Sequence, residues 1–272
     1  MPGGVTAGAL RWPAMRVGVF GAGGRMGAEV CRAVTADPAL ELVSAVDPYC
    51  PGRESIPGGV PIAATADALA EAGAELAVDF TELAAARENL AWCAAHGVHA
   101  VVGTTGFTEG DLAELGRLFP AEGSVGCFIA PNFAIGAVLM MRFAELAAPW
   151  FESAEVIELH HDGKIDAPSG TAVLTAQRMA AASGEWGADP TKTETVAGAR
   201  GGVGPAGIRI HSVRLRGLVA HQEVLLGTDG QSLTIRHDSY DRSSFMPGVL
   251  LAVKAVGGLP GVTVGLDRLL GL

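Results

Sequence analysis

Apolar and polar positions follow two rhythms along the chain, and the change falls near residue 150. Before it, short apolar runs alternate with longer helix-period stretches. Residues 16–20, 41–47, 74–81, 99–106 and 124–132 read as strands, and residues 28–36, 83–95 and 108–118 as the helices between them. Strands and helices that alternate in this way predict a parallel sheet with right-handed crossovers. After a helix over 133–147, a strand at 154–160 and a helix at 171–182, a glycine-rich irregular segment covers 183–207. Three strand-like runs then follow with little helix between them, at 208–216, 219–226 and 232–237, with the turn residues Thr228-Asp229-Gly230-Gln231 before the last. Consecutive strands with tight turns predict a mixed or antiparallel sheet. A helix over 245–256 and a short tail close the chain.

The pattern therefore predicts an α/β protein. One part is a Rossmann-like dinucleotide-binding domain with a parallel sheet, and the other an α+β domain with a mixed or antiparallel sheet. Composition agrees, since 49% of the residues are hydrophobic and 18% charged, which suits covered sheets and excludes disorder for the bulk of the chain. The 272 residues suffice for one large domain or two smaller ones. A net charge of −10 argues against a nucleic-acid or anionic-membrane binder, so an anionic ligand needs local positive groups. No apolar run reaches membrane-spanning length. Residues 1–14 carry a single Arg11 and no sustained apolar run, and read as a loose tail, with Met15 as a second possible start. Cys31, Cys50, Cys93 and Cys127 are scattered without metal-type spacing and read as reduced thiols in a cytoplasmic protein.

Three stretches carry chemistry in the first part. The strand at 16–20 runs into Gly21-Ala22-Gly23-Gly24-Arg25-Met26-Gly27 and then a helix. In that arrangement backbone N–H groups at a helix N-terminus meet a pyrophosphate, and glycine permits the close approach. Met26 stands where the usual fingerprint has its last glycine, so the loop reads better as G-x-x-G-x-x-G through Gly21, Gly24 and Gly27. Asp47 ends the next strand at the distance where a carboxylate grips the adenosine ribose, or else caps the turn before Pro48. Its neighbour is Pro48 rather than Arg, with Arg53 further on, so NADPH preference is not written there; Arg25 is a candidate for a phosphate. Gly103-Thr104-Thr105-Gly106 and Ala130-Pro131-Asn132-Phe133 fall at the carboxyl ends of strands, where open α/β sheets bind ligands. Asn132 is also placed to cap the following helix.

The densest cluster of proton-transfer groups is Glu158-Leu159-His160-His161-Asp162-Gly163-Lys164-Ile165-Asp166-Ala167-Pro168-Ser169-Gly170-Thr171-Ala172. Two histidines, a lysine and an aspartate precede a Pro-Ser-Gly-Thr run that reads as a helix start, so proton transfer and anion capture adjoin. Adjacent residues on a strand face opposite ways, and His160 and His161 share a site only if the strand ends there; Gly163 suits such a turn. Adjacent spacing is poor for binding one metal, and no metal site is expected.

The segments VFGAGGRMG, VVGTTGF and APNFAIG, and above all ELHHDGKIDAPSGTA, resemble the 4-hydroxy-tetrahydrodipicolinate reductase (dihydrodipicolinate reductase) family from Met15 onward. The resemblance implies NAD(P)H-dependent reduction of a small cyclic imine bearing two carboxylates, a step of the diaminopimelate route to lysine. It implies His160 as proton donor or acceptor and Lys164 as proton donor, with substrate bound by His161, Gly170 and Thr171. NADH or NADPH would meet Gly21, Ala22, Gly23, Gly24, Arg25, Met26, Asp47, Gly103, Thr104, Thr105, Ala130, Pro131, Asn132 and Phe133. The dinucleotide domain would comprise 15–132 and 242–272, with the second domain, 133–241, inserted between them and forming homotetramers through its sheet. A hinge between the domains is expected, because cofactor and His/Lys groups lie on different domains. Ala220-His221-Gln222 departs from the Gly-Glu-His of many members, so His221 is left out of the site. A different nicotinamide oxidoreductase, or a non-enzymatic NAD sensor, would share the first domain without explaining the His/Lys segment.

Overall fold

The computed structural model describes residues 14–52, 56 and 58–272; Arg11 and Arg53, with nearly all of the N-terminal tail, lie outside the described residues. By its internal contacts the chain divides into two units, Met1–Pro131 with Val249–Val264, and Asn132–Gly248 with Gly265–Leu272.

The first unit is built on a seven-stranded sheet. In chain order its elements are β1 (Met15–Phe20), α1 (Arg25–Ala36), β2 (Leu40–Val46), β3 (Ile62–Ala63), α2 (Asp67–Glu71), β4 (Leu76–Asp79), α3 (Leu83–His96), β5 (His99–Val102), α4 (Glu109–Leu118) and β6 (Gly126–Ile129). The strand order is β12-β6-β5-β4-β1-β2-β3, where β12 is Gly261–Val264 from near the C-terminus. Every pairing is parallel. The strands are apolar and buried on both faces, as covered parallel strands must be, and Phe20, Leu69, Leu90, Phe119 and Ile129 belong to one core cluster. Local chemistry sets the helix ends. Thr108 and Asp111 form a capping box at the start of α4, and α3 stops at Gly97, whose φ of 70° favours glycine.

The second unit contains α5 (Ile135–Ala147), β7 (Ser153–His160), α6 (Gly170–Ala182), β8 (Gly202–Val203), β9 (Arg209–Arg214), β10 (Ala220–Thr228) and β11 (Gln231–Ser239). Its sheet runs β11-β10-β7-β9-β8 and is mixed: β7 and β9 are parallel and the other pairs antiparallel. The Asp229-Gly230 turn closes the β10–β11 hairpin, with Thr228 facing Gln231. Helices α5 and α6 pack on one face of this sheet. That face carries the buried Val156, Glu158, Gln222 and Val224, which alternate with outward residues at a period of two.

The return crossing falls within α7 (Met246–Ala255), between Gly248 and Val249. Contacts group Gly265–Leu272, which contains α8 (Asp267–Leu270), with the second unit rather than with the dinucleotide unit, where the sequence reading had put all of 242–272. One tie of this segment to the second unit is an ion pair at 2.7 Å between Arg178 of α6 and Asp267.

Candidate functional site

In the first unit the strand order reverses between β1 and β4, and the loop 21–27 leaves β1 at that switch point, where ligands of open α/β sheets bind. The loop is tied to β2 by the Ala22 N–H, which donates to the Val46 carbonyl at 3.2 Å, and is closed by Gly24 N–H donating to Gly21 O at 3.0 Å. A Cβ on Gly27 would lie 2.1 Å from the Gly21 carbonyl oxygen, so Gly27 lets α1 pack against the turn. That is the duty of the third glycine in the usual fingerprint, moved one position beyond Met26. Gly24 caps α1 without a side-chain hydrogen bond, so the positive end of the helix dipole has no side-chain acceptor of its own. Arg25, the first residue of α1, is exposed.

Asp47 is 8% exposed, and its two oxygens accept from Gly23 N–H at 3.1 Å and Tyr49 N–H at 3.0 Å. It therefore caps its own turn, one of the two roles weighed in the sequence, and also reaches the glycine loop. Thr104 is buried beneath the 103–106 loop, and its hydroxyl donates to Thr81 O at 2.9 Å. Thr105 is exposed. Gly103 has no room for a side chain, because a Cβ there would lie 2.0 Å from the Phe80 ring. Asp79, which the sequence reading passed over, organises this edge. Its buried carboxylate accepts from Thr81 N–H at 2.8 Å, the Thr81 hydroxyl at 2.6 Å and Asn89 Nδ2 at 2.8 Å. A helix N-terminus, glycine-only approaches and a carboxylate at the end of β2 together fit a dinucleotide. When such a cofactor is bound, α1 would face its pyrophosphate and Asp47 its ribose.

In the loop 130–133, Ala130 and Phe133 are buried and Pro131 is exposed. Asn132 does not cap α5: the cap position is Ala134, two residues on. The Asn132 carbonyl oxygen instead accepts from Ala134 N–H at 2.8 Å in a local turn, and its amide donates to the Thr171 hydroxyl at 3.3 Å.

That hydroxyl opens onto a pocket of the second unit lined by Asn132, His160, Ser169, Thr171, Gln222 and His237, among others. β7 ends at His160, and the chain turns at once, with Lys164 N–H donating to His161 O at 3.2 Å. His160 points to the helix-covered face, its side chain 16% exposed. His161 is exposed and is not among the lining residues, nor are Lys164 and Gly170. Lys164 Nζ is held by both oxygens of Asp166, at 2.7 and 2.8 Å, which keeps the Asp166 carboxyl below its usual range. Ser169 caps α6 by accepting from Ala172 N–H at 3.2 Å. The N–H groups of Gly170 and Thr171 thus lie ahead of the first intrahelical donor, Val173 N–H, which bonds to Ser169 O at 3.1 Å, as an anion site requires. Gln222 supports this turn from β10 through Thr175, whose hydroxyl donates to the Thr171 carbonyl at 2.7 Å.

Beneath His160 lies Glu158, fully buried, with Oε2 2.5 Å from His160 Nδ1. Arg214 of β9 grips the same carboxylate with two nitrogens, at 2.9 and 2.8 Å. Burial alone would raise the Glu158 pKa, but Arg214, the Ser212 hydroxyl and His160 outweigh it, and the carboxyl sits below its usual range. Burial holds the His160 imidazole below its normal value against the opposing pull of Glu158. Neither Glu158 nor Arg214 was singled out in the sequence. His221, left out of the site in the sequence reading, pairs with Leu159 on β7 and has its Nδ1 2.7 Å from Asp238, yet it is among the residues that line the His160 pocket. Among the described residues no group of three or more His, Cys, Asp or Glu is placed to hold a metal ion, and no helix is long and apolar enough to cross a membrane.

Comparison with known proteins follows the same division. Residues 15–133 match the family model described as dihydrodipicolinate reductase, N-terminus, and residues 136–270 match its C-terminus. A 4-hydroxy-tetrahydrodipicolinate reductase of Nocardia farcinica is 53% identical over 265 residues, covering 95% of this chain and 99% of that protein. The protein of the same name from Corynebacterium aurimucosum is 52% identical over 261 residues, with the same coverage. The dipicolinate-bound dihydrodipicolinate reductase of Paenisporosarcina sp. TG-14 superposes with a TM-score of 0.82 at 40% identity, covering 94% of this chain and 99% of that one.

Proposed function

The chain belongs to the dihydrodipicolinate reductase family, and from that membership we infer that it catalyses the NAD(P)H-dependent reduction of 4-hydroxy-tetrahydrodipicolinate to tetrahydrodipicolinate in the diaminopimelate route to lysine. The observation that carries the reading at the level of residues is the convergence of His160 and the α6 N-terminus on one pocket. Reduced nicotinamide supplies the hydride when bound.

The protein's own residues do the rest. The N–H groups of Gly170 and Thr171, with the Thr171 hydroxyl, receive one substrate carboxylate at the positive end of α6. Asn132 orients that hydroxyl through its amide. The second carboxylate draws Lys164 from Asp166, with which it pairs in the free protein, and His161 adds charge when protonated. Departure of the substrate's hydroxyl as water takes one proton from a ring carbon and puts one on the leaving oxygen, and hydride addition then takes up one more. His160 Nε2, the ring nitrogen not engaged by Glu158, exchanges protons in these steps and Lys164 donates. Dipicolinate, the ligand of the Paenisporosarcina structure, is itself a ring with two carboxylates, and supports a cyclic dicarboxylate as substrate here. We place the enzyme in the cytoplasm as a homotetramer assembled through the sheet face not covered by α5 and α6.

The test is oxidation of NADH by the purified protein with freshly generated 4-hydroxy-tetrahydrodipicolinate, repeated with NADPH. Turnover with either cofactor is expected, and none with either would overturn the reading. Light scattering tests the assembly, and a monomer would remove it.

A further inference from the structure

The geometry points to Glu158 and Arg214 as positioning residues that hold His160 in a single tautomer and tie it to the carboxylate-binding turn. This rests on the reading of His160 as the proton-exchanging group. Glu158 is fully buried, and the Ser212 hydroxyl, Arg214, Ser169 and His160 surround its carboxylate. Oε1 accepts from Arg214 Nη2 at 2.8 Å and from Ser169 N–H at 3.2 Å; Oε2 accepts from Arg214 Nη1 at 2.9 Å and lies 2.5 Å from His160 Nδ1. A carboxylate locked in a guanidinium fork is ionised, and an ionised carboxylate only accepts. Nδ1 must therefore carry a proton in every state of the ring. The proton exchanged with substrate is confined to Nε2.

The same carboxylate reaches the anion site. By accepting from Ser169 N–H it fixes the cap residue of α6, one position before Gly170. Arg214 extends the link, since its Nη2 also donates to the Asp166 carbonyl at 2.6 Å, and Asp166 holds Lys164. One buried ion pair thus sets His160, Lys164 and the Ser169–Thr171 turn relative to one another. The charged groups that face His160 are Glu158 on its own strand, Arg214 on β9 and Lys164 in the following loop, while His221 on β10 and His237 on β11 line the same pocket. Of these only Glu158 carries a negative charge, so its loss moves the His160 titration to lower pH.

The test begins with the unaltered enzyme. Long-range ¹H–¹⁵N NMR of ¹⁵N-histidine-labelled protein is expected to show His160 protonated at Nδ1 and bare at Nε2 above its titration; the opposite tautomer overturns the proposal. Glu158→Gln and Arg214→Lys are then compared with the parent, their folding checked by thermal melts and NADH titration. In each, kcat is expected to fall by about 10²-fold, the scale of a misplaced proton-transfer group, and the substrate KM to rise as the Ser169–Thr171 turn loses its anchor, while NADH affinity holds. In Glu158→Gln the limb of the pH–rate profile that reports His160 moves to lower pH. An unshifted profile with near-parental kcat would sink the positioning role alone, whereas near-normal turnover in His160→Gln would sink the assignment on which it rests. A merely structural ion pair would change the melts and leave tautomer and profile in place.

Discussion

Asp47 Oδ2 accepts from the Gly23 N–H at 3.1 Å, so the carboxylate at the end of β2 and the glycine loop after β1 form one unit before any cofactor arrives. A Cβ on Gly23 would lie 2.0 Å from Cys50 Sγ and 2.9 Å from that oxygen, which explains why glycine stands there. Asp47→Ala removes both the ribose acceptor and the anchor of the loop. Charge-assisted hydrogen bonds contribute about 1.5–3 kcal/mol each, so the NADH dissociation constant should rise by about 10-fold or more. NADPH affinity should fall less, because its extra phosphate meets the same carboxylate unfavourably. Fluorescence titration with both cofactors checks the order of the two effects.

Asp79 carries a comparable load at the end of β4. Its replacement by Ala leaves the Thr81, Asn89 and Thr104 donors without their acceptor in a buried place. Each unsatisfied buried donor costs about 1–3 kcal/mol before relaxation, and relaxation with water entry should bring the total to about 2–4 kcal/mol. Urea unfolding measures that loss. A parallel rise in the KM for NADH is expected, since Thr104 belongs to the loop 103–106.

The parallel sheet was legible because doubly covered strands are written as apolar runs, and the glycine loop because close approach admits no other residue. Strand ends were less legible. The run at 99–106 looked like one strand, yet β5 stops at Val102 and the chain turns through Gly106 at a φ of 96°. β3 and α2, with two and five residues, are too short to leave a period, and β12 is flanked by Pro260 and Gly265. In the site, His160, Lys164 and Thr171 announce themselves by proximity in sequence. Glu158 was visible only as the residue two before His160 on the same strand face, and its partner Arg214 is 56 positions away, beyond any local pattern.

Two glycines give opposite predictions. Gly103→Ala drives a methyl into the Phe80 ring, and overpacking of this kind costs about 1–3 kcal/mol. Gly170 begins α6 with nothing within 4 Å of a built Cβ, so Gly170→Ala should leave stability unchanged or raise it by up to about 1 kcal/mol. Its new methyl instead stands beside the N–H groups assigned to the substrate carboxylate, and KM for the substrate should rise. Thermal melts and steady-state kinetics on the pair separate folding from binding.

His160→Gln and Lys164→Ala test the proton-transfer assignment directly. A positioned acid or base contributes about 10²–10⁴ in rate, so turnover in each should fall by at least the lower figure. NADH affinity should persist in both, because the glycine loop, Asp47 and Asp79 belong to the other unit. Lys164→Ala also frees Asp166, whose carboxyl loses the cation that holds it low, and adds a negative charge where a dianion must bind. Its KM for substrate should therefore rise more than that of His160→Gln, a difference that steady-state kinetics at fixed NADH resolves.

Acid sensitivity follows from histidines held neutral. His99, His160 and His237 all have pKa values below normal, each chiefly through burial. For a group whose folded pKa is depressed, the unfolded chain binds more protons between the two values, so stability rises with pH across that window. The contribution is complete above the unfolded value, about 6.5, and is lost as pH falls through the folded one. His99 gives this a structural address: its Nδ1 accepts the Gly126 N–H at 2.9 Å and links β5 to the start of β6. Protonation of Nδ1 abolishes that bond. Urea midpoints taken from about pH 7 down to about pH 5 should therefore fall in the parent. In His99→Gln, whose amide oxygen can accept from Gly126 without titrating, the slope should be shallower by up to one bound proton. Equal slopes in the two proteins would remove His99 from the account and leave His160 and His237 to carry it.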